Sequence, residues 1–127
     1  MMPAGKYWLG DLCYVLHAEW DEFCNITIDD TRCVSGEFEL KDGRKFASYN
    51  TMYGDGCYDG LGVDAGLIGC ILVADIDTDN DSNQISLGRI VEFKEPFVTG
   101  SEDGVIRFGN VYIDTGYEPE DEDYDNE

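Results

Sequence analysis

Aspartate-glycine pairs set between short apolar runs limit this chain more than any other feature. They stand at 42–43, 55–56, 59–60 and 103–104, among 15 glycines in 127 residues. Asp caps its own turn through its side chain, and Gly takes a positive φ at no steric cost. Such turns are the punctuation of a mostly antiparallel β domain. The sequence therefore predicts a β-rich α+β fold. About six strands would form a twisted antiparallel sheet or open barrel, with one helix packed on it.

The strands are read as Lys6–Leu9, Gly36–Leu40, Arg44–Tyr49, Leu67–Ile76, Gly88–Lys94 and Val105–Ile113, and Cys13–Leu16 can prolong the first. Leu67–Ile76, the most apolar stretch, is predicted to be a central strand. The helix is placed at 17–25, where Trp20, Phe23 and Cys24 recur at helical spacing and Glu19, Asp21 and Glu22 face outward. Lys41-Asp42-Gly43 reads as a three-residue hairpin loop with Gly43 left-handed. That register sets Phe38 opposite Phe46 and Glu39 opposite Lys45, pairing aromatics on one face and opposite charges on the other. Tyr53–Gly66 is read as largely irregular and Asp77–Ser86 as a polar loop. No internal repeat is present.

Charge narrows the function. The chain carries 28 Asp+Glu against 8 Lys+Arg, a formal net charge of −20. The last eleven residues hold seven acids (Glu118, Glu120, Asp121, Glu122, Asp123, Asp125, Glu127) and no base, so they read as a disordered acidic tail. The division expected is 1–116 as one β-rich domain and 117–127 as tail. The body keeps 21 acids against 8 bases and is strongly acidic itself. Direct binding to nucleic acid or an anionic membrane is excluded, because each phosphate contact needs a cation. No apolar run approaches the ~20 residues of a membrane span. The start Met-Met-Pro-Ala-Gly-Lys has no apolar signal segment, so a cytoplasmic location is expected.

Five cysteines, Cys13, Cys24, Cys33, Cys57 and Cys70, form no CxxC and leave one unpaired by count, so no disulfide framework is expected. A zinc reading would rest on Cys13, His17, Cys24 and Cys33, with Cys13 and His17 on one helical face. The paired spacing of structural zinc sites is missing, so no metal or other cofactor is expected. Asp75-Ile76-Asp77-Thr78-Asp79-Asn80-Asp81 resembles the opening of an EF-hand loop. It has Asn80 where the loop needs Gly and Ser86 where it needs Glu, which leaves at most weak calcium binding.

Three segments carry a family resemblance: Tyr7-Trp8-Leu9-Gly10-Asp11-Leu12-Cys13-Tyr14-Val15, Tyr53-Gly54-Asp55-Gly56-Cys57-Tyr58, and Val63-Asp64-Ala65-Gly66-Leu67-Ile68-Gly69. Together they resemble a family of small bacterial and phage proteins with a GD-x-CYV start, a YGDG-x-Y centre and a VD-(A/S)-G-x-IG continuation. Roughly residues 4–115 fit the pattern, with a shorter link between the second and third motifs. The resemblance implies a shared fold and a phage or bacterial source. It implies no reaction.

The motif residues Asp11, Cys13, Tyr53, Asp55 and Asp64 form the candidate cluster for chemistry. Paired carboxylates can divide acid and base roles, and a neighbouring thiol can be a nucleophile with His17 as its only imidazole. No GxSxG, P-loop or HExxH is present, so no catalytic residue is assigned. The second candidate is the acidity. An extended 75–81 segment would repeat carboxylates about every 6.6 Å on one face, near the spacing of alternate DNA phosphates. The reading favoured is a non-catalytic acidic protein that binds a basic protein surface, as a phage-type DNA-mimic inhibitor of a host defence or DNA-binding protein would. Its candidate contacts are Asp75, Asp77, Asp79 and Asp81, with Glu19, Asp21 and Glu22 as a second patch. The alternatives are a small enzyme or metal-binding protein using Asp11, Cys13, Asp55 and Asp64, and a soluble acidic module without an electrostatic partner.

Overall fold

A computed structural model describes residues 1–29, 32–58 and 60–116, without the side chains of Asp29, Arg32 and Cys33. The expected acidic tail, 117–127, lies outside the described residues. In chain order the elements are β1 (Gly5–Gly10), a 3₁₀ turn (Leu12–Tyr14), α1 (Trp20–Thr27), β2 (Ile28–Asp29), β3 (Arg32–Cys33), β4 (Gly36–Glu39) and β5 (Lys45–Asn50). There follow β6 (Gly56–Tyr58), β7 (Leu61–Val63), β8 (Leu67–Leu72), two 3₁₀ turns (Val73–Asp75 and Ile85–Leu87), β9 (Arg89–Phe93), β10 (Thr99–Glu102), β11 (Val105–Phe108) and β12 (Val111–Asp114).

A five-stranded sheet ordered β4-β5-β8-β1-β9 forms the middle of the molecule, and every pairing in it is antiparallel. Both of its faces are covered. Tyr7, Leu9, Ala47, Ile68 and Cys70 point into one cluster, closed by Ile106, Phe108 and Ile113 of the three-stranded sheet β10-β11-β12. Trp8, Phe46, Leu67 and Ile71 point into the other, closed by Phe23 of α1 with Leu12, Leu16 and Leu40. This is why β8 reads as a continuous apolar run and lies at the sheet's centre, as predicted. Gly69 fits there because a Cβ would come within 2.2 Å of the Ala47 carbonyl oxygen and 2.8 Å of a Leu12 methyl carbon.

The fold is β-rich α+β, with one α-helix among the described residues. The β4–β5 hairpin has the predicted register, with Phe38 opposite Phe46 and Glu39 opposite Lys45. The two rings stack at 5.5 Å, Gly43 has φ 96°, and Leu40 donates its N–H to the Arg44 carbonyl at 2.8 Å.

The antiparallel sheet expected is open and five-stranded, with further strands in a three-stranded sheet and two hairpins, β2-β3 and β6-β7. Other expectations are corrected. Residues 13–16 do not prolong β1, because Asp11 turns the chain into a 3₁₀ turn. Val105–Ile113 is a hairpin rather than one strand, bent at Gly109, whose φ is 61°. Strand β8 ends at Leu72, short of Ile76, and Tyr53–Gly66 contains the β6-β7 hairpin. The helix spans Trp20–Thr27 instead of 17–25. Leu16 bonds back to Leu12 and the His17 N–H goes to Asn83 Oδ1, while the Phe23 N–H bonds the Glu19 carbonyl at the helix start. No helix among the described residues is long and apolar enough to cross a membrane.

Candidate functional site

Asp11 follows directly on β1 and is fully buried. Its Oδ1 accepts the Cys13 N–H at 3.0 Å, and its Oδ2 accepts the N–H groups of Asp64 at 2.8 Å and Ala65 at 2.6 Å. Three backbone donors therefore meet one carboxylate, an arrangement of short, charge-assisted bonds. The first bond starts the 3₁₀ turn, and the other two hold the β7–β8 turn against it. Tyr14, from the same 3₁₀ turn, donates its hydroxyl to Asp64 Oδ2 at 2.7 Å. The GD-x-CYV and VDAG segments are thus joined by two side chains, Asp11 and Tyr14.

The structure brings Asp11, Cys13 and Asp64 together and leaves Tyr53 half-exposed outside the group. Asp55 is exposed nearby, with Oδ1 3.9 Å from where a Cβ on Gly66 would stand. Burial pushes the Cys13 thiol well above its ordinary range. The hydrogen bond to Asp11 and the charges of Asp11, Asp64 and Asp55 push it the same way. The thiolate is thereby disfavoured where a nucleophile would need it. Burial and the bond to Asp64 likewise push the Tyr14 hydroxyl up. His17 is exposed and its described bonds are made by its backbone, from its N–H to Asn83 Oδ1 and from the Trp20 N–H to its carbonyl. Among the described residues no three His, Cys, Asp or Glu side chains form a group able to hold a metal. Cys13, Cys57 and Cys70 are free thiols, and the Cys33 side chain lies outside the description.

The 75–81 segment is not extended. Asp75 ends a 3₁₀ turn, Asp77 Oδ1 accepts the Asp79 N–H at 3.1 Å, and Asn80 Oδ1 accepts the Ser82 N–H at 2.9 Å. Two successive side-chain-capped turns therefore replace the regular row of carboxylates, which corrects the DNA-phosphate spacing inferred from the sequence. Asn83 closes the loop by donating its side-chain amide to the Asp77 carbonyl at 2.9 Å. Asp77, Asp79 and Asp81 are exposed, whereas Asp75 is half-buried and its carboxyl is pushed up by burial.

The helix acids divide. Asp21 is exposed, but Glu19 does not face outward as expected: its Oε2 pairs with the Arg44 guanidinium at 2.7 Å. Arg44 also pairs with Asp42 at 2.9 Å and donates to the Asp75 carbonyl at 3.0 Å. Glu22 accepts the Lys41 N–H at 2.6 Å. Sequence reading missed Arg44 as the group tying the helix start, the β4–β5 turn and the segment after β8. Its only local signal is its position two residues after Asp42. No protein-family model, curated protein or solved structure matches the chain.

Proposed function

We propose that this is a non-catalytic acidic binding protein that acts in the cytoplasm on a basic protein surface. Its sharper form is a phage-type DNA-mimic inhibitor of a host defence or DNA-binding protein. The observation that carries the reading is the net charge of −20, far beyond the ~2–8 usual for a small soluble domain. The exposure of Asp21, Asp77, Asp79 and Asp81 supports it. A field of this size attracts cationic surfaces and speeds encounter, and it loses force as salt rises. The enzyme reading has little support, since Asp11 already accepts three backbone donors and Cys13 is held protonated.

The test is capture of basic proteins from a bacterial lysate on the immobilised full chain, at low and high salt, with and without duplex DNA. Specific capture that salt weakens and duplex DNA displaces supports the mimic. Capture that salt weakens but DNA ignores removes mimicry and keeps the acidic binder. Capture indifferent to both salt and DNA overturns the proposal.

A further inference from the structure

The three-stranded sheet β10-β11-β12 has one covered face and one open one. Ile106, Phe108 and Ile113 point into the core. The strand register sets Gly100, Arg107 and Tyr112 in one row of the opposite face, and Glu102, Val105 and Asp114 in the next. An open groove of about 720 Å³ runs over this face, lined by Gly100, Glu102, Asp103, Val105, Arg107 and Tyr112 among others.

Three features set the groove apart from an ordinary solvated strand face. Tyr112 is 58% exposed. Gly100, across Arg107 from it, leaves a vacancy in the row, since a Cβ there would meet nothing within 4 Å. Arg107 lies between them without an ion pair or hydrogen bond among the described residues, in a chain where acids outnumber bases 28 to 8. Tyrosine and arginine are the residue types enriched where binding energy concentrates at protein interfaces.

We propose that this groove is where the partner docks, and that its occupant is an extended, lysine- or arginine-rich segment of the partner carrying at least one apolar side chain. The proposal rests on the acidic-binder reading and gives it a place. The apolar side chain lies over Gly100 against the Tyr112 ring and the Arg107 stem. The Arg107 guanidinium donates to the segment's backbone carbonyls. The segment's cations reach the rim acids Glu102, Asp103 and Asp114, which is the charge complementarity that selects a basic occupant. The Asp77–Asp81 loop then adds long-range attraction without contact.

The probe is a short peptide alternating lysine and leucine, titrated into the isotope-labelled full chain at low salt. Amide shifts map the site, and fluorescence anisotropy gives the affinity. The largest shifts are expected at Gly100, Val105, Arg107 and Tyr112. Gly100→Leu, which fills the vacancy, and Tyr112→Ala should each weaken binding about tenfold. Replacing Asp77, Asp79 and Asp81 together by Asn should weaken it less than about threefold. If Gly100→Leu does not fold, the exposed Tyr112→Ala variant carries the measurement. Shifts centred on the Asp77–Asp81 loop, with groove variants binding as the parent does, overturn the groove and leave the acidic-binder reading intact. No salt-sensitive binding of the peptide anywhere overturns both.

Discussion

Asp11 and the Asp77–Asp81 loop use the same side chain to opposite ends. Asp11 is buried and ties together segments more than fifty residues apart, through the N–H groups of Asp64 and Ala65. The Asp77 carboxylate accepts one described bond, from the Asp79 N–H two residues on, and the residue is exposed. An aspartate can therefore lie at the centre of a motif and still be architecture, while one in an ordinary polar loop keeps its charge free. What separates the two is how many of a carboxylate's acceptor positions the chain's own donors already fill.

The contrast fails first, and by the largest margin, if Asp11→Ala is tolerated. Three N–H donors lose an acceptor that is itself fully buried, and each group left unsatisfied costs about 1–3 kcal/mol. Denaturant unfolding should show a loss of about 3–5 kcal/mol. A loss below about 1 kcal/mol would mean that water enters and the tie is dispensable.

Arg44→Ala comes next, because Arg44 joins the loop side of the molecule to the helix. It would leave Glu19 without its cation, and Glu19 Oε1 already lies buried with no partner. A loss of about 2 kcal/mol is expected by the same measurement. An unchanged midpoint would show Glu19 swinging out to solvent.

Alkaline pH sharpens the Asp11 side further. The Cys13 and Cys70 thiols are both pushed above their ordinary value of 9.0, first by burial. Above pH 9 the unfolded chain releases these protons while the folded chain keeps them. Stability is then complete below that pH and falls as pH rises, with a slope approaching about 1.4 kcal/mol per pH unit for each thiol. Cys13→Ala should remove one share of that slope in urea titrations from pH 8 to 11, and an unaltered slope would place Cys13 in water. The smallest effect belongs to the loop. The triple Asp77→Asn, Asp79→Asn, Asp81→Asn variant should stay within about 0.5 kcal/mol of the parent, because Asn also caps turns of this kind. A larger loss would show that the charges themselves hold the loop.

The sequence was most readable where the determinants are local. Phe38, Glu39, Gly43, Lys45 and Phe46 lie within nine residues, and one loop length satisfies both cross-strand pairs, so the register could be read directly. Residues 13–16 carry a strand-like pattern, yet their path is set by a bond to Asp11 and by the Gln84 N–H bonded to the Tyr14 carbonyl at 2.7 Å, seventy residues away. The helix start is hidden for the same reason, since Asn83 holds the His17 N–H. In the candidate cluster, residue type was readable but role was not. Whether Asp11 faces a cavity or three amides depends on how β1 meets the β7–β8 turn. The extended acidic row failed on a local point, because Asp77 and Asn80 are themselves turn-forming residues and compete with the strand.

The sheet order also governs when the chain can fold during its own synthesis. Strand β1 is made before the two strands that flank it, β8 and β9, where Tyr7 lies opposite Leu72 on one side and Val91 on the other. Neither neighbour exists until more than fifty further residues have been made. The nascent Tyr7-Trp8-Leu9 run, buried on both faces in the finished protein, must wait in the open while β4 and β5 pair behind it. Such distant pairings place a fold among the slower ones, in the range of milliseconds to seconds. A stretch that is apolar, early and unpaired is exposed to capture by holding chaperones or by other nascent chains. Lys6 and Asp11 place a charge on either side of it, as residues that discourage association of an apolar strand commonly do.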